Sequence, residues 1–251
     1  MSLITDPGGE PRVEGVALHA IAQRHGTPCY VYSKAALAAA FAAYRAALAE
    51  KNARSCYAVK ANSNLSILKL FARLGAGFDI VSGGELARVL AAGGAPDKVV
   101  FSGVGKSRAE MRQALKAGIY CFNVESASEL EQLNGIAGDL ALRAPVALRV
   151  TPDVAPKTLP FISPGLNTAK FGVSFESAVE LYRRAGQLPN LLIRGIACHI
   201  GSQLLDPQPA ADAAARLLEL VDALAAENIV FEHIDLGGGM GIRYRDENVL
   251  S

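Results

Sequence analysis

The sequence predicts an α/β fold, a (β/α)8 barrel of the TIM type of which this chain carries seven of the eight strands. Short β-branched runs alternate with longer helical segments, as in parallel strands joined by crossover helices. The strand runs are apolar nearly throughout, which is typical of strands buried on both faces. An open doubly wound sheet would also satisfy these two observations. The barrel is favoured because residues suited to chemistry follow strand after strand at the carboxyl end, where barrel enzymes place their active sites.

The barrel strands are predicted at Cys56–Val59, Phe78–Val81, Val99–Ser102, Tyr120–Val124, Val146–Val150, Ile193–Ile200 and Phe231–Leu236. The first helix carries an apolar stripe at helical spacing, formed by Leu37, Phe41, Tyr44 and Leu48. Three later helices begin with Ser-x-x-Glu, the capping box, at Ser82, Ser107 and Ser126. An earlier run, Pro28–Tyr32, is expected to form an extra strand. Residues 1–32 are therefore assigned to an N-terminal segment and residues 33–251 to the incomplete barrel.

Composition restricts the partners. The formal net charge is +1, so we expect no nucleic-acid track and no basic membrane face, and the implied partner is a small molecule. The first residues do not resemble a signal peptide, and no apolar stretch approaches the roughly 18 residues of a membrane span. Four separated cysteines indicate single buried thiols in a reducing cytoplasm and no metal site; they are Cys29, Cys56, Cys121 and Cys198.

Lys60 ends the first barrel strand, in the run Tyr57-Ala-Val-Lys60. A lysine at the end of an apolar strand is unusual, because an unpaired ammonium is costly to bury. One interpretation is a strand-end lysine that extends to water. The other is a Schiff-base lysine, a flexible primary amine that attacks an aldehyde.

A glycine run, Gly237-Gly-Gly239, follows Asp235 after the seventh strand. Glycines allow the backbone to approach a ligand and turn several N–H groups toward one point, which suits a phosphate. Barrel phosphate sites commonly use the loops after strands 7 and 8. The alternative is a flexible turn. A dinucleotide fingerprint is excluded because its last glycine would be Ile242, and a P-loop around Lys106 fails because its first glycine would be Val100.

Four further residues are candidates for the same site. His199 ends the sixth strand and is followed by glycine and Ser202, which favours a site over a core histidine; the ring can stack on an aromatic group and the hydroxyl can bind a phosphate. Asp79 lies within a buried strand, where an acid is expected to have a cation nearby. Arg149 is a strand-end cation, either paired structurally or facing the pocket.

Two other positions are less decisive. Glu85 completes the capping box of Ser82, and that structural role alone is a sufficient explanation for it. Lys170 lies in a stretch rich in Gly, Pro and Thr, where a solvated loop lysine and a functional lysine are equally consistent with the sequence.

Together these segments resemble the fold-type III pyridoxal-phosphate decarboxylases, whose barrel is of the alanine racemase and ornithine decarboxylase type. The matching stretches occur in family order and are Tyr57–Asn62, Gly77–Glu85, Phe101–Gly103, Ala147–Pro152, Lys170–Gly172, His199–Gln203 and Asp235–Gly239. Within the group, Thr151–Thr158, Phe161–Ser163 and the Ser-Gln after His199-Ile-Gly resemble the diaminopimelate branch.

The resemblance implies pyridoxal 5'-phosphate on Lys60 and conversion of meso-2,6-diaminopimelate to L-lysine. It implies that His199 stacks on the cofactor ring and that Ser202 and Gly237–Gly239 hold the phosphate. It also matches Asp79, Glu85 and Arg149 to pocket positions that orient the lysine and the ring. The family is typically a homodimer, which we expect for the full-length protein.

The family's eighth strand, with the glutamate that pairs with the pyridine nitrogen, and its following β-domain have no counterpart in these residues. Residues 1–251 alone are therefore expected to be inactive, with a gap between the strands that end at Lys60 and Leu236. The alternatives are a non-catalytic pyridoxal-phosphate carrier, an inactive regulatory homologue, or a decarboxylase of another basic amino acid. The Pro28–Tyr32 run favours the decarboxylase, since in that family this strand pairs with the β-domain.

Overall fold

The computed structural model describes residues 4–6, 8–152, 154, 171–244 and 246. Seven parallel strands form one sheet; they are β3 (Cys56–Ala58), β4 (Gly77–Ile80), β5 (Val99–Phe101), β6 (Cys121–Val124), β7 (Ala144–Thr151), β9 (Leu191–Ala197) and β10 (His233–Asp235). Three shorter strands are β1 (Arg12–Val13), β2 (Val16–Ala17) and β8 (Val173–Ser174). The seven predicted barrel strands are confirmed, with bounds shifted by at most three residues.

In the described residues, eight α-helices connect or precede these strands. They are α1 (Leu18–His25), α2 (Lys34–Ala47), α3 (Leu65–Arg73), α4 (Gly83–Ala91), α5 (Arg108–Ala117), α6 (Ala127–Asp139), α7 (Phe175–Gln187) and α8 (Gln208–Ala225). No helix in the described part of the chain is long and apolar enough to cross a membrane. The α2 stripe packs as predicted at Leu37 and Phe41, whereas Tyr44 is largely exposed.

The sheet has the order β10-β9-β7-β6-β5-β4-β3, with β8 beside β7. Each barrel strand pairs in parallel with the next one along the chain, as in a (β/α)8 barrel. Among the described residues no strand joins β3 to β10, so the expected gap between the first and the seventh barrel strand is present.

The two faces of the strands differ in content. Alternate residues pack outward against the helices in one large core, as with Phe78, Phe101 and Phe122. The residues between them face the barrel interior, where Cys121, Ala147 and Ala197 form a small separate cluster. This period of two decides which strand-end residues reach the site.

The helix starts follow the predicted serines. Ser107 forms a complete capping box, since its side chain accepts from the Glu110 amide and the Glu110 carboxylate accepts from the Ser107 amide. Ser82 and Ser126 also cap α4 and α6 through their side chains. Their glutamates accept instead from the amide one residue earlier, so Glu85 holds Val81 at 2.7 Å and Glu129 holds Glu125 at 3.1 Å.

Several expectations require correction. Pro28–Tyr32 forms no strand in the described residues, because no neighbouring strand supplies a ladder; its pairing with a β-domain stays a prediction. Cys29 is exposed, because it lies in this unpaired run, and Cys56 is only partly buried, whereas Cys121 and Cys198 are buried as predicted. The β1–β2 hairpin, α1 and β8 are absent from the prediction; both strands of the hairpin and β8 have only two residues. Lys170, Phe161–Ser163 and most of Thr151–Thr158 lie outside the described residues.

Candidate active site

Each of the seven barrel strands places one residue on the interior side at its carboxyl end. These positions are Lys60, Asp79, Ser102, Asn123, Arg149, His199 and Asp235. Asp79, Asn123, Arg149 and Asp235 lie within their strands, on the same face as small interior residues such as Gly77 and Cys121, so the period of two turns them into the barrel. Lys60, Ser102 and His199 follow the ends of their strands, and their contacts or charges reach the same interior. Carboxyl ends of barrel strands share one rim. The fold therefore gathers these polar side chains into one site.

Lys60 lies in a short 3-10 helix, Val59–Ala61, directly after β3. The residue is exposed, and within the described part of the chain its amine has no hydrogen bond or salt bridge. Its positive charge nevertheless acts on two other site residues, favouring the ionised form of Asp79 and disfavouring protonation of His199. Lys60 thus presents an uncommitted primary amine to the site.

A hydrogen-bonded chain crosses the interior from Asp79 to Asp235. The Ser102 hydroxyl donates to Asp79 Oδ1 at 2.6 Å. Asn123 Nδ2 donates to Ser102 Oγ at 3.2 Å and to Asp235 Oδ2 at 2.8 Å. Burial raises the pKa of Asp79 to about 6, against the hydrogen bond from Ser102 and the charge of Lys60, which lower it. The predicted cation near Asp79 is therefore Lys60, which acts at longer range, whereas the group in direct contact with Asp79 is the Ser102 hydroxyl.

Arg149 is paired and also lies on the pocket side. Its Nη1 atom is 3.0 Å from Glu125 Oε1, and the side chain of Glu125 is only 2% exposed. The same oxygen accepts from the Gly103 amide at 2.9 Å, while Glu125 Oε2 has no partner among the described residues. Both readings of Arg149, a structural pair and a pocket cation, are thus compatible with its geometry.

His199 carries an uncharged ring over the physiological pH range. Burial, together with the positive charges of Arg149 and Lys60, lowers its pKa to about 4, although the charge of Asp235 acts in the opposite direction. The Gly238 amide donates to His199 Nδ1 at 3.4 Å. The ring proton therefore resides on Nε2, and a neutral ring is suited to stacking on an aromatic ligand.

The glycine run forms a shaped loop beside Ser202. Gly237 and Gly239 have positive φ values of 71° and 96°, which side-chain-bearing residues rarely adopt. A Cβ on Gly237 would lie 2.7 Å from Cys198 O, and one on Gly239 would overlap the carbonyl of Gly201. A Cβ on Gly238 would meet nothing within 4 Å, so this residue faces open space.

The loop's amides are not all available to a ligand. The Gly237 amide donates to Asp235 Oδ1 at 2.8 Å, and the Gly238 amide makes the long bond to His199. No acceptor is recorded for the Gly239 amide among the described residues. Ser202 is exposed, and its Cα lies 3.2 Å from the Cβ position of Gly239. Of the groups assigned to a phosphate, the Gly239 amide and the Ser202 hydroxyl thus have no hydrogen-bond partner among the described residues.

One carboxylate oxygen of Glu85 accepts from the Val81 amide at 2.7 Å, as described above. Its charge still reaches the site, since it disfavours ionisation of Asp79. The predicted cap of α4 by Ser82 is therefore confirmed, whereas Glu85 accepts from Val81 and does not complete the capping box. Any role of Glu85 toward a ligand stays a prediction.

The residues fit pyridoxal phosphate. The amine of Lys60, free of hydrogen bonds among the described residues, suits its aldehyde, and the open space at Gly238 in the glycine loop suits its phosphate. The neutral ring of His199 suits a face of its aromatic ring. The pair of buried oxygens without partners in the described residues, Asn123 Oδ1 and Glu125 Oε2, is further typical of a binding site.

Sequence reasoning did not select Ser102, Asn123, Glu125 or Asp235 as site residues, although the structure brings all four together with the predicted ones. A signal was available. Asn123 is a polar residue inside the apolar run Cys121-Phe-Asn-Val, like Asp79 in its own strand. Reading every strand with a period of two would have placed it on the interior side.

Comparison with known proteins shows the family of the chain. Residues 34–250 match the family model of the pyridoxal-dependent decarboxylases, pyridoxal binding domain. The chain belongs to this family. Its cofactor is accordingly pyridoxal phosphate, and the expectation from the sequence is confirmed at the level of family, fold and cofactor.

Similar proteins include the diaminopimelate decarboxylases of Pseudomonas aeruginosa and Neisseria meningitidis serogroup B. They are 58% identical over 234 residues and 59% identical over 236 residues, covering 93% and 94% of this chain. The crystal structure of diaminopimelate decarboxylase from Helicobacter pylori complexed with L-lysine superimposes with a TM-score of 0.90 at 41% identity, covering 93% of this chain and 59% of that one. The chain spans about half the length of the curated relatives, 56% and 57% of the two named first.

Proposed function

We propose that the complete protein decarboxylates meso-2,6-diaminopimelate to L-lysine, with pyridoxal phosphate bound to Lys60. The observation that carries the proposal is the exposed, uncommitted amine of Lys60 among six other interior strand-end residues. Identities of 58% and 59% to the two diaminopimelate decarboxylases support the substrate.

When bound, the cofactor supplies an electron sink for the electron pair left by departing CO2. The protein's part is to bind, to orient and to control charge. Lys60 provides the amine for attachment, and the Gly237–Gly239 loop with Ser202 holds the phosphate. His199 lies against the ring without bringing a second positive charge, because its pKa is lowered to about 4.

Asp79, Glu85 and Arg149 complete the proposed site by setting the field around Lys60. The buried Glu125 holds Arg149 in place at 3.0 Å, so the guanidinium has a fixed position on the carboxyl rim. The positive charge of Lys60 acts on Asp79. Because the pKa of Asp79 is raised to about 6, this carboxyl group can exchange a proton near neutral pH.

The complete protein is proposed to be a cytoplasmic homodimer, and residues 1–251 by themselves are proposed to lack activity. The gap between β3 and β10 leaves two strand edges without a ladder partner in the described residues, which favours association of chains. These statements rest on the family resemblance and on the open sheet.

Reduction with borohydride, digestion and mass spectrometry of the complete protein test the attachment site. We expect a phosphopyridoxyl group on Lys60; a label on Lys106 or Lys170 would contradict the assignment. Lys106 is a sharp internal control, because its ammonium is buried in an ion pair with Glu129 at 2.6 Å.

The substrate is tested by CO2 release from meso-diaminopimelate, ornithine, arginine and lysine at equal concentrations. We expect diaminopimelate to be decarboxylated fastest. Faster release from ornithine or arginine would refute the proposed specificity, and a labelled protein that decarboxylates none of them would favour a non-catalytic cofactor carrier.

A further inference from the structure

Asn123 joins parts of the barrel that the sheet itself does not connect. It lies on β6, which pairs only with β5 and β7, and the residue is 4% exposed. Its Nδ2 atom donates to Asp235 Oδ2 on β10, a strand that is not adjacent to β6, and to Ser102 Oγ. A single amide thus links the seventh barrel strand to the third, and through Ser102 to Asp79 on the second.

The link to Asp235 leads directly to the glycine loop. One oxygen of Asp235 accepts from Asn123 at 2.8 Å, and the other accepts from the Gly237 amide at 2.8 Å. The carboxylate therefore fixes the first residue of the loop only if its own orientation is fixed. Asn123 is the side chain that holds the far oxygen.

Asn123 is itself held rigidly. The buried ammonium of Lys106 donates to the backbone carbonyl of Asn123 at 2.7 Å and also forms an ion pair with Glu129. The side-chain oxygen of Asn123 has no partner among the described residues, although an unsatisfied buried acceptor is costly. The Nδ2 donors of the same amide, by contrast, both have acceptors, Asp235 Oδ2 and Ser102 Oγ.

We propose that Asn123 is a positioning residue of the decarboxylase. It orients Asp235, which holds the phosphate-binding glycine loop. It also orients Ser102, which holds the carboxyl group of Asp79, on which the charge of Lys60 acts. The inference rests on the proposed role of the loop in binding the phosphate. It assigns to Asn123 a function that acts through other residues and not by contact with the substrate.

The test compares pyridoxal phosphate with pyridoxal, which lacks the phosphate, as ligands of the complete protein after its cofactor has been removed with hydroxylamine. In Asn123→Leu the donors are lost while a branched side chain fills the space. We expect the preference for pyridoxal phosphate over pyridoxal to fall about tenfold or more, as for a lost hydrogen bond to a charged group. Asn123→Asp, which keeps the size of the side chain, should also lose the preference at pH 8.

Asn134→Leu is the matched control. Asn134 is partly buried on α6 and bonds to Asn190 at the amino side of β9, away from the carboxyl rim. We expect it to keep the wild-type ratio of affinities. A purely structural role would lower both affinities together, or neither.

A ratio within about twofold of wild type in a folded Asn123→Leu or Asn123→Asp protein would overturn the inference. So would failure of both variants to fold while Asn134→Leu folds, because Asn123 would then be a structural residue. The ratio is measured without amino-acid substrate. Absence of CO2 release by the wild type would therefore overturn the proposed activity and not this inference.

Discussion

At the amino end of the barrel the polar side chains largely satisfy one another, whereas at the carboxyl end several remain without partners in the described residues. The ring of Tyr120 has Arg54 and Arg194 over it, with Cζ atoms 4.7 and 4.8 Å from its centroid. Arg194 also pairs with Glu232 at 2.7 Å, and the Tyr120 hydroxyl lies 3.3 Å from His233 Nδ1. His233 Nε2 is the exception at this end.

At the carboxyl end, the amine of Lys60 has no hydrogen-bond partner in the described residues, and burial shifts two pKa values in opposite directions, that of Asp79 up to about 6 and that of His199 down to about 4. The same strands thus carry a closed end and an open end. Polar groups without hydrogen-bond partners are thus concentrated at the end of the barrel where a ligand is expected to supply those partners. Substitutions at the two ends should therefore separate activity from stability.

Lys60→Arg should have the largest effect on activity. Arginine keeps the positive charge but offers no primary amine for attachment, so CO2 release by the complete protein should fall at least about a thousandfold. Because Lys60 is exposed and unbonded in the described residues, the free energy of unfolding should change by less than about 0.5 kcal/mol. Urea unfolding and a CO2 assay measure the two effects; an active Lys60→Arg protein would exclude Lys60 as the attachment site.

Gly238→Val should weaken cofactor affinity with little effect on folding. The side chain would project into open space in the protein alone, so a clash arises only with a bound phosphate, and we expect about a tenfold loss of affinity for pyridoxal phosphate. Gly239→Ala is the contrasting variant, since it strains the backbone and overlaps Gly201 and should lower stability as well. Unchanged affinity in Gly238→Val would remove this loop from the phosphate site.

Tyr120→Ala tests the closed end. Removing the ring leaves Arg54 and Arg194 without their aromatic partner and opens space beside His233, so unfolding should require about 2–3 kcal/mol less free energy. Activity of the folded protein should remain within about threefold of wild type, because the carboxyl rim is untouched. A stable protein without activity would contradict the division of roles between the two ends.

Asp79→Asn should change stability by an amount that depends on pH. The folded pKa of Asp79 is raised from 3.8 to about 6, so the folded state binds the proton more tightly than the unfolded state, and this contribution to stability is lost as pH rises from about 4 through 6. Asparagine carries no such charge and can still accept from Ser102. At pH 7.5 the variant without cofactor should be about 1 kcal/mol more stable than wild type, and the difference should vanish near pH 4.

The pKa of Asp79 also depends on the charges of Asp235, Lys60 and Glu85, so the experiment needs a control in which a neighbouring charge is removed. Glu85→Gln serves, because it removes one neighbouring charge from the rim while its amide oxygen can still accept from Val81. If the gain in stability of Asp79→Asn over wild type were larger at pH 4 than at pH 7.5, the expected sign would be reversed. The ionised carboxylate of Asp79 would then be stabilising.

The sequence alone determined the seven strands, the serine-capped helices, the family and the residues that form the ends of the first, second, fifth and sixth strands. These features follow from local chemistry: apolar runs, capping side chains and polar residues at strand ends leave a pattern that is readable without knowing the fold.

Which of those residues meet depends on the tertiary structure. Ser102, Asn123 and Asp235 are 21 and 112 residues apart in the chain, and their bonds exist because parallel register turns all three into one interior. The same register commits the Gly237 amide to Asp235 and the Gly238 amide to His199, which changes what the loop can offer a phosphate. Local periodicity sets the face on which a residue lies, but contacts across a barrel depend on strand order and register, which are long-range properties.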